Sequence, residues 1–170
     1  MIRISWIVAA AIATFGIGLP TFLHPAPRLI WNASASVPIG LYAVHPAGRL
    51  NLGELVVVMP PEPLASFLAV RHYLPEGVPL LKHIIALPGQ VVCRADHTIT
   101  IDGVVVGEAL DRDHLERALP RWQGCRVIPT GEIFLMNPLS ADSLDSRYFG
   151  PLPATTIVGR AERIWIKPRK

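Results

Sequence analysis

A serine hydroxyl is a poor nucleophile at neutral pH, so a serine that does chemistry needs a neighbouring base. A lysine can serve if its ammonium is made easy to deprotonate. Ser36 and Lys82 are the candidates for such a pair. Ser36 lies in Ser34-Ala35-Ser36-Val37-Pro38, where Pro38 and Gly40 would fix a turn that exposes it. Lys82 lies in Leu80-Leu81-Lys82-His83-Ile84-Ile85-Ala86-Leu87. If Pro79 to Leu87 is a strand, Leu80, Lys82 and Ile84 share one face, and the amine sits among apolar side chains. Desolvation of that kind lowers a lysine pKa, because the ammonium loses water without gaining a counterion. A third segment, Asp142-Ser143-Leu144-Asp145-Ser146-Arg147-Tyr148-Phe149-Gly150-Pro151, offers Asp145 and Arg147 at i, i+2, able to close a charge-assisted pair on one face of an extended strand.

Each segment has a plainer reading. A loop serine is commonly a turn residue or helix cap, and an edge-strand lysine can lay its stem along the sheet with its head in water. Tyr148 and Phe149 read as core residues. Six histidines and many serines invite a Ser-His-Asp reading, yet the chain has no Gly-x-Ser-x-Gly elbow. On the same strand as Lys82, His83 would point the other way, as a sheet-surface or core residue.

Taken together and in order, behind a hydrophobic N-terminus, the three segments resemble the type I signal peptidase family of Ser/Lys serine peptidases. Its conjugal-transfer branch, the TraF-type peptidases, is the nearer match, and the resemblance spans nearly the whole chain. It implies Ser36 as nucleophile and Lys82 as general base. It further implies that the Ser34 hydroxyl joins the Ser36 backbone N–H in an oxyanion hole, that Ser143 orients the lysine, and that Asp145 and Arg147 brace the segment. The implied substrate is an exported precursor protein, with small residues such as alanine filling the pocket. No cofactor or metal is implied. Val37 followed directly by Pro38 is the short form typical of the conjugal branch, where other signal peptidases have methionine and one more residue. Met136-Asn137-Pro138-Leu139 replaces the usual Gly-Asp-Asn-Arg, and His83 stands where arginine is commoner. These departures bear on substrate choice more than on chemistry. The branch implies propilin maturation for conjugation, in which the pilin's own N-terminus can capture the acyl-enzyme and give a cyclic subunit. A general signal peptidase and a non-enzymatic membrane-anchored scaffold of a secretion apparatus are the alternatives.

Positioning such residues needs a rigid frame. A chain of 170 residues suits one soluble domain of modest core. After Met1-Ile2-Arg3, the run from Ile4 to Leu23 carries no charge and approaches the ~20 residues a membrane helix needs. It is longer than the ~7–15-residue core of a cleavable signal, and Ala26 alone builds no cleavage motif. The expectation is therefore a retained single-pass anchor over residues 1–23, leaving the membrane at Pro20, Pro25 and Pro27. A periplasmic catalytic domain would follow over residues 24–170, at the surface of a bacterial inner membrane. Arg3 before the run and Arg28 after it permit that orientation without demanding it.

Beyond the anchor, Pro, Gly and β-branched residues dominate, which predicts a mainly β, antiparallel domain with few short helices. Strands are expected at Leu41 to Val44, Glu54 to Met59, Pro79 to Leu87, Gln90 to Arg94, Thr98 to Asp102, Val104 to Val106, Glu132 to Met136 and Ile157 to Ile166. Asp102-Gly103 is a two-residue hairpin signal. A helix is expected at Leu64 to Leu74, with a further turn or two at Arg112 to Ala118. Cys93 and Cys125, in an oxidising compartment, suggest a disulfide, with two buried free thiols as the competing reading. There is no C-x-x-C to support zinc. The net charge of +3 is mild and its residues scattered, which argues against a nucleic-acid partner. The tail Lys167-Pro168-Arg169-Lys170 could touch anionic lipid.

Overall fold

Short apolar runs separated by turns cannot each bury a face alone, and here they solve the problem by antiparallel pairing throughout. The structure, a computed structural model, describes residues 2–23 and 28–168, with backbone alone for 2–4 and 19–23. In chain order the elements are helix α1 (Ile2–Leu23), strands β1 (Leu29–Asn32), β2 (Gly40–His45) and β3 (Leu55–Val58), and helix α2 (Leu64–Val70). Strands β4 (Leu80–Ala86), β5 (Val91–Ala95), β6 (Thr98–Ile101), β7 (Val104–Glu108), β8 (Gly124–Val127) and β9 (Glu132–Met136) follow. The chain closes with helix α3 (Ser146–Phe149), strand β10 (Leu152–Pro153), a 3₁₀ turn and strand β11 (Ile157–Ile166).

Seven strands form one sheet in the order β1-β2-β11-β3-β4-β9-β10, and four form a second in the order β7-β6-β5-β8. Around β3 and β4, one apolar cluster gathers Val37, Tyr42, Val44, Val57 and Leu81, and another gathers Val56, Val58, Ile84, Ile133 and Leu135. A third, with Val92, Ile99, Ile101, Phe134 and Met136, joins the small sheet to β9. The mainly β, antiparallel expectation holds. The Asp102-Gly103 turn has positive φ at both residues, 49° and 82°, as a two-residue hairpin requires. Cys93 and Cys125 stand opposite each other on β5 and β8 and are joined by a disulfide. Closing a loop of that length stabilises by roughly 3–4 kcal/mol in the chain-entropy view.

Among the described residues no helix is long and apolar enough to cross a membrane. The expected exit at Pro25 and Pro27 and the last two tail residues, Arg169 and Lys170, lie outside the described residues. Helix α2 ends four residues early, because His72 turns left-handed (φ 57°) and the Tyr73 and Leu74 N–H groups both return to the Leu68 carbonyl. Residues 112–118 form a loop closed by an Arg112–Ala118 bridge. There the Asp113 carboxylate accepts the Leu115 and Arg117 N–H groups, offering the backbone a partner other than a helix. Asp145 and Arg147 do not lie on an extended strand either: Asp145 caps α3.

Candidate active site

Lys82 sits on β4 between β3 and β9, directly opposite Val56, in the middle of the large sheet. It is not an edge residue, and it is only 4 % exposed. Burial pulls its pKa down to about 8; the Asp145 charge opposes that shift and Arg147 adds to it. Its Nζ donates to Ser143 Oγ at 2.6 Å. An amine so placed has an accessible neutral form near physiological pH and one lone pair to offer.

The Ser143 segment is held from behind. Arg147 Nε and N–H both donate to Asp145 Oδ1, and Arg147 Nη2 donates to the carbonyls of Ser140 and Ser143. Both side chains are buried, so this charge pair is worth far more as geometry than an exposed pair would be. Arg94, from the small sheet, donates to the Arg147 carbonyl, and Ser146 Oγ accepts the Leu135 N–H. Asn137 ties this assembly to the lysine strand. Its Nδ2 donates to the Leu81 carbonyl, its Oδ1 accepts the His83 N–H, and its own N–H goes to Asp145 Oδ2. It thus holds β4 on either side of Lys82. His83 is half-buried, with its ring Nδ1 3.0 Å from Asn137 Oδ1.

Ser34 and Ser36 occupy the loop between β1 and β2, and its path is fixed at three points. Val37 is buried in the core, Tyr42 Oη donates to the Pro38 carbonyl at 2.6 Å, and Asn32 reaches into the loop from the end of β1. Gly40, where β2 begins, has no room for a side chain, because a Cβ would run into the Trp165 carbonyl of β11. The Ser34 and Ser36 hydroxyl oxygens are 3.1 Å apart, and the Ser36 N–H points at Ser34 Oγ from 3.3 Å. Two donors lie close enough to face one oxygen. An incoming oxyanion would take over the long Ser36 N–H bond.

Ser34, Ser36, Lys82 and Ser143 all line one cavity of about 610 Å³, whose walls include Leu68, Leu74 and Leu144. Among the described residues Lys82 and Ser36 make no direct hydrogen bond; each pairs with another serine, and they meet across the cavity. Asp145 and Arg147 stand behind it, and the Cys93–Cys125 bridge is in the other sheet. Asn32, Arg94 and Ser146 carried no sequence signal, and Asn137 drew notice only as a departure from the family pattern.

A hydroxyl loop facing a desolvated amine across an apolar cleft is equipped for acyl transfer. The chain belongs to the signal peptidase, peptidase S26, family, which matches residues 1–166. It is 38% identical over 144 residues to "Conjugal transfer protein TraF" of Agrobacterium fabrum, covering 79% of this chain and 80% of that one. It is 30% identical over 137 residues to "Plasmid transfer protein TraF" of Escherichia coli (74% and 76% covered). It is also 32% identical over 120 residues to "Probable signal peptidase I-1" of a Synechocystis species (71% and 55%). Membership makes it a serine peptidase of the signal peptidase I kind, with a precursor protein as substrate.

Proposed function

We propose that this chain is a membrane-anchored serine endopeptidase in which Ser36 attacks the scissile carbonyl and Lys82 takes the hydroxyl proton. The observation that carries the reading is a buried amine with its pKa lowered to about 8, held by Ser143 on the cavity that Ser36 also lines. The Ser36 N–H and Ser34 hydroxyl then receive the oxyanion, a contribution of roughly 3–4 kcal/mol per donor. Lys82 returns the proton to the leaving amine. A water activated by the same lysine resolves the ester. The apolar walls suit small uncharged side chains such as alanine.

The substrate we assign is an exported precursor, and within that class propilin for conjugative transfer, supported by the relatives named for conjugal and plasmid transfer and by the short Ser36-Val37-Pro38 form. Where the pilin's own N-terminus captures the ester, the product is a ring one water lighter than the linear chain. Residues 1–23 would be a single-pass anchor in the bacterial inner membrane, and 24–170 a periplasmic domain. This is supported by the uncharged run Ile4 to Leu23 and by exposed Trp6, Ile7, Ile12 and Phe15 along α1. Trp31 and Trp165, stacked 5.8 Å apart on the surface with Leu29 and Ile166 also exposed, suit a lipid headgroup layer beside the cavity. A general signal peptidase is the second reading, favoured by the Synechocystis relative.

Ser36→Ala should abolish release of mature product from a precursor in detergent, measured by mass, while circular dichroism stays that of the parent. Undiminished cleavage would remove Ser36 as nucleophile.

A further inference from the structure

Main-chain hydrogen bonds usually hold a hairpin loop in shape. In the loop that carries Ser36 they are few: beyond a weak tight turn at Ala35–Ser36, among the described residues no backbone-to-backbone bond of good geometry is made by residues 33–38. The ladder between β1 and β2 stops at Asn32 and Gly40. Beyond it, the 8 %-exposed Asn32 side chain takes over. Its Nδ2 donates to the carbonyls of Ser34 (2.8 Å), Val37 (3.1 Å) and Pro38 (3.1 Å), and its Oδ1 accepts the Ser34 N–H (3.1 Å). Two hydrogens are shared among three oxygens. The amide has one workable orientation, since the flipped one would face its oxygen toward three carbonyls.

These contacts bracket Ser36 on both sides along the chain. We propose that Asn32 is the positioning residue of the nucleophile loop, fixing where the Ser36 hydroxyl and N–H stand relative to the amine across the cavity. This rests on the reading of Ser36 as nucleophile. A residue that only stabilised the fold would lower the amount of native enzyme and leave each native molecule as fast. One that aims the attacking oxygen changes the rate of the native molecule, and displacement by about 1 Å can cost on the order of 100-fold.

The experiment compares the full chain with Asn32→Ala, Asn32→Asp and Ser36→Ala, on a precursor protein with alanine at its cleavage site. Asn32→Asp keeps the size and the acceptor for the Ser34 N–H but loses every donor. We expect kcat per folded molecule to fall about 100-fold in both Asn32 variants. KM should stay within about threefold, and in the uncharged Asn32→Ala the midpoint of the pH–rate profile should not move, since no hydrogen bond to the lysine is lost. Parental kcat in Asn32→Asp overturns the proposal. So does a loss that merely tracks the folded fraction, a rise in KM alone, or failure of both variants to fold. Parental activity in Ser36→Ala brings down the nucleophile reading first, and the inference with it.

Discussion

The serine side of the cavity is a loop with Ser34 exposed and Ser36 half-buried, held by Asn32, the Tyr42 hydroxyl and buried Val37; the lysine side is a central strand whose Lys82 is 4 % exposed, within a network spanning both sheets. The difference follows from what each group has to do. In the proposed reading, a nucleophile must meet a bulky substrate, which fits a serine on a turn that a precursor can approach. A base built from lysine would have to lose its hydration, which fits an amine that neighbouring strands shield from water. Accessibility leaves the serine loop few partners. Desolvation gives the lysine many, because every buried polar group around it has to be satisfied. Among the described residues, all buried side-chain nitrogens and oxygens have one.

Lys82→Arg is the most severe way to break this contrast. It preserves the charge but cannot give up a proton, so cleavage should fall about 10⁴-fold or more. In the parent, kcat/KM should rise with pH through about 8 and then level. A flat profile from mildly acidic to alkaline pH would argue against a titrating lysine. On the other side, Ser34→Ala should cost about 10²–10³ in kcat, as loss of one oxyanion donor does. A loss as complete as that of Ser36→Ala would mean the two serines have exchanged roles.

Asn137→Ala should be milder in rate, about tenfold, and should disturb what Asn32→Ala leaves alone. Removing the clip on Leu81 and His83 loosens the packing around Lys82, so the rate midpoint should move to higher pH. Stability should drop by about 1–3 kcal/mol in urea unfolding. An unchanged midpoint would separate Asn137 from the lysine.

Lys82→Met should change stability with the opposite sign. Because the native pKa of Lys82 lies below its ordinary value, the unfolded chain holds a proton that the native chain has lost between about pH 8 and pH 10.4. Native stability therefore gains as pH rises through that window, and the cost of burying the charge is fully present below it. The methionine variant should be inactive yet more stable at pH 7 by about 1–3 kcal/mol, with the gain shrinking toward pH 10.

Much of the lysine side could be read from the sequence. Lys82 between Leu80 and Ile84 already implied desolvation, and the family resemblance implied that Asp145 and Arg147 brace their segment. What escaped was whatever depends on where distant carbonyls fall. Asn32 and Asn137 look like ordinary turn asparagines until the loop and strand they hold are in place. Strands β1, β8 and β10 also went unread. β8 is exposed at every position and shows no alternation, so its pairing comes from β5 and the Cys93–Cys125 bridge rather than from its own pattern. In residues 112–118, where a further helical turn or two was expected, Asp113 took the N–H groups that a helix would have used.

The strand order carries a consequence for timing. The β1–β2 hairpin with the serines and the β3–β4–β9 group with the lysine are joined in the sheet through β11, which leaves the ribosome after all of them. A nascent chain can complete either group early, but until Ile157–Ile166 slides between β2 and β3 the two lack a common sheet. Of the two contacts between the groups, the shared sheet waits for β11, while the packing of Val37, Tyr42 and Val44 against Val57 and Leu81 does not.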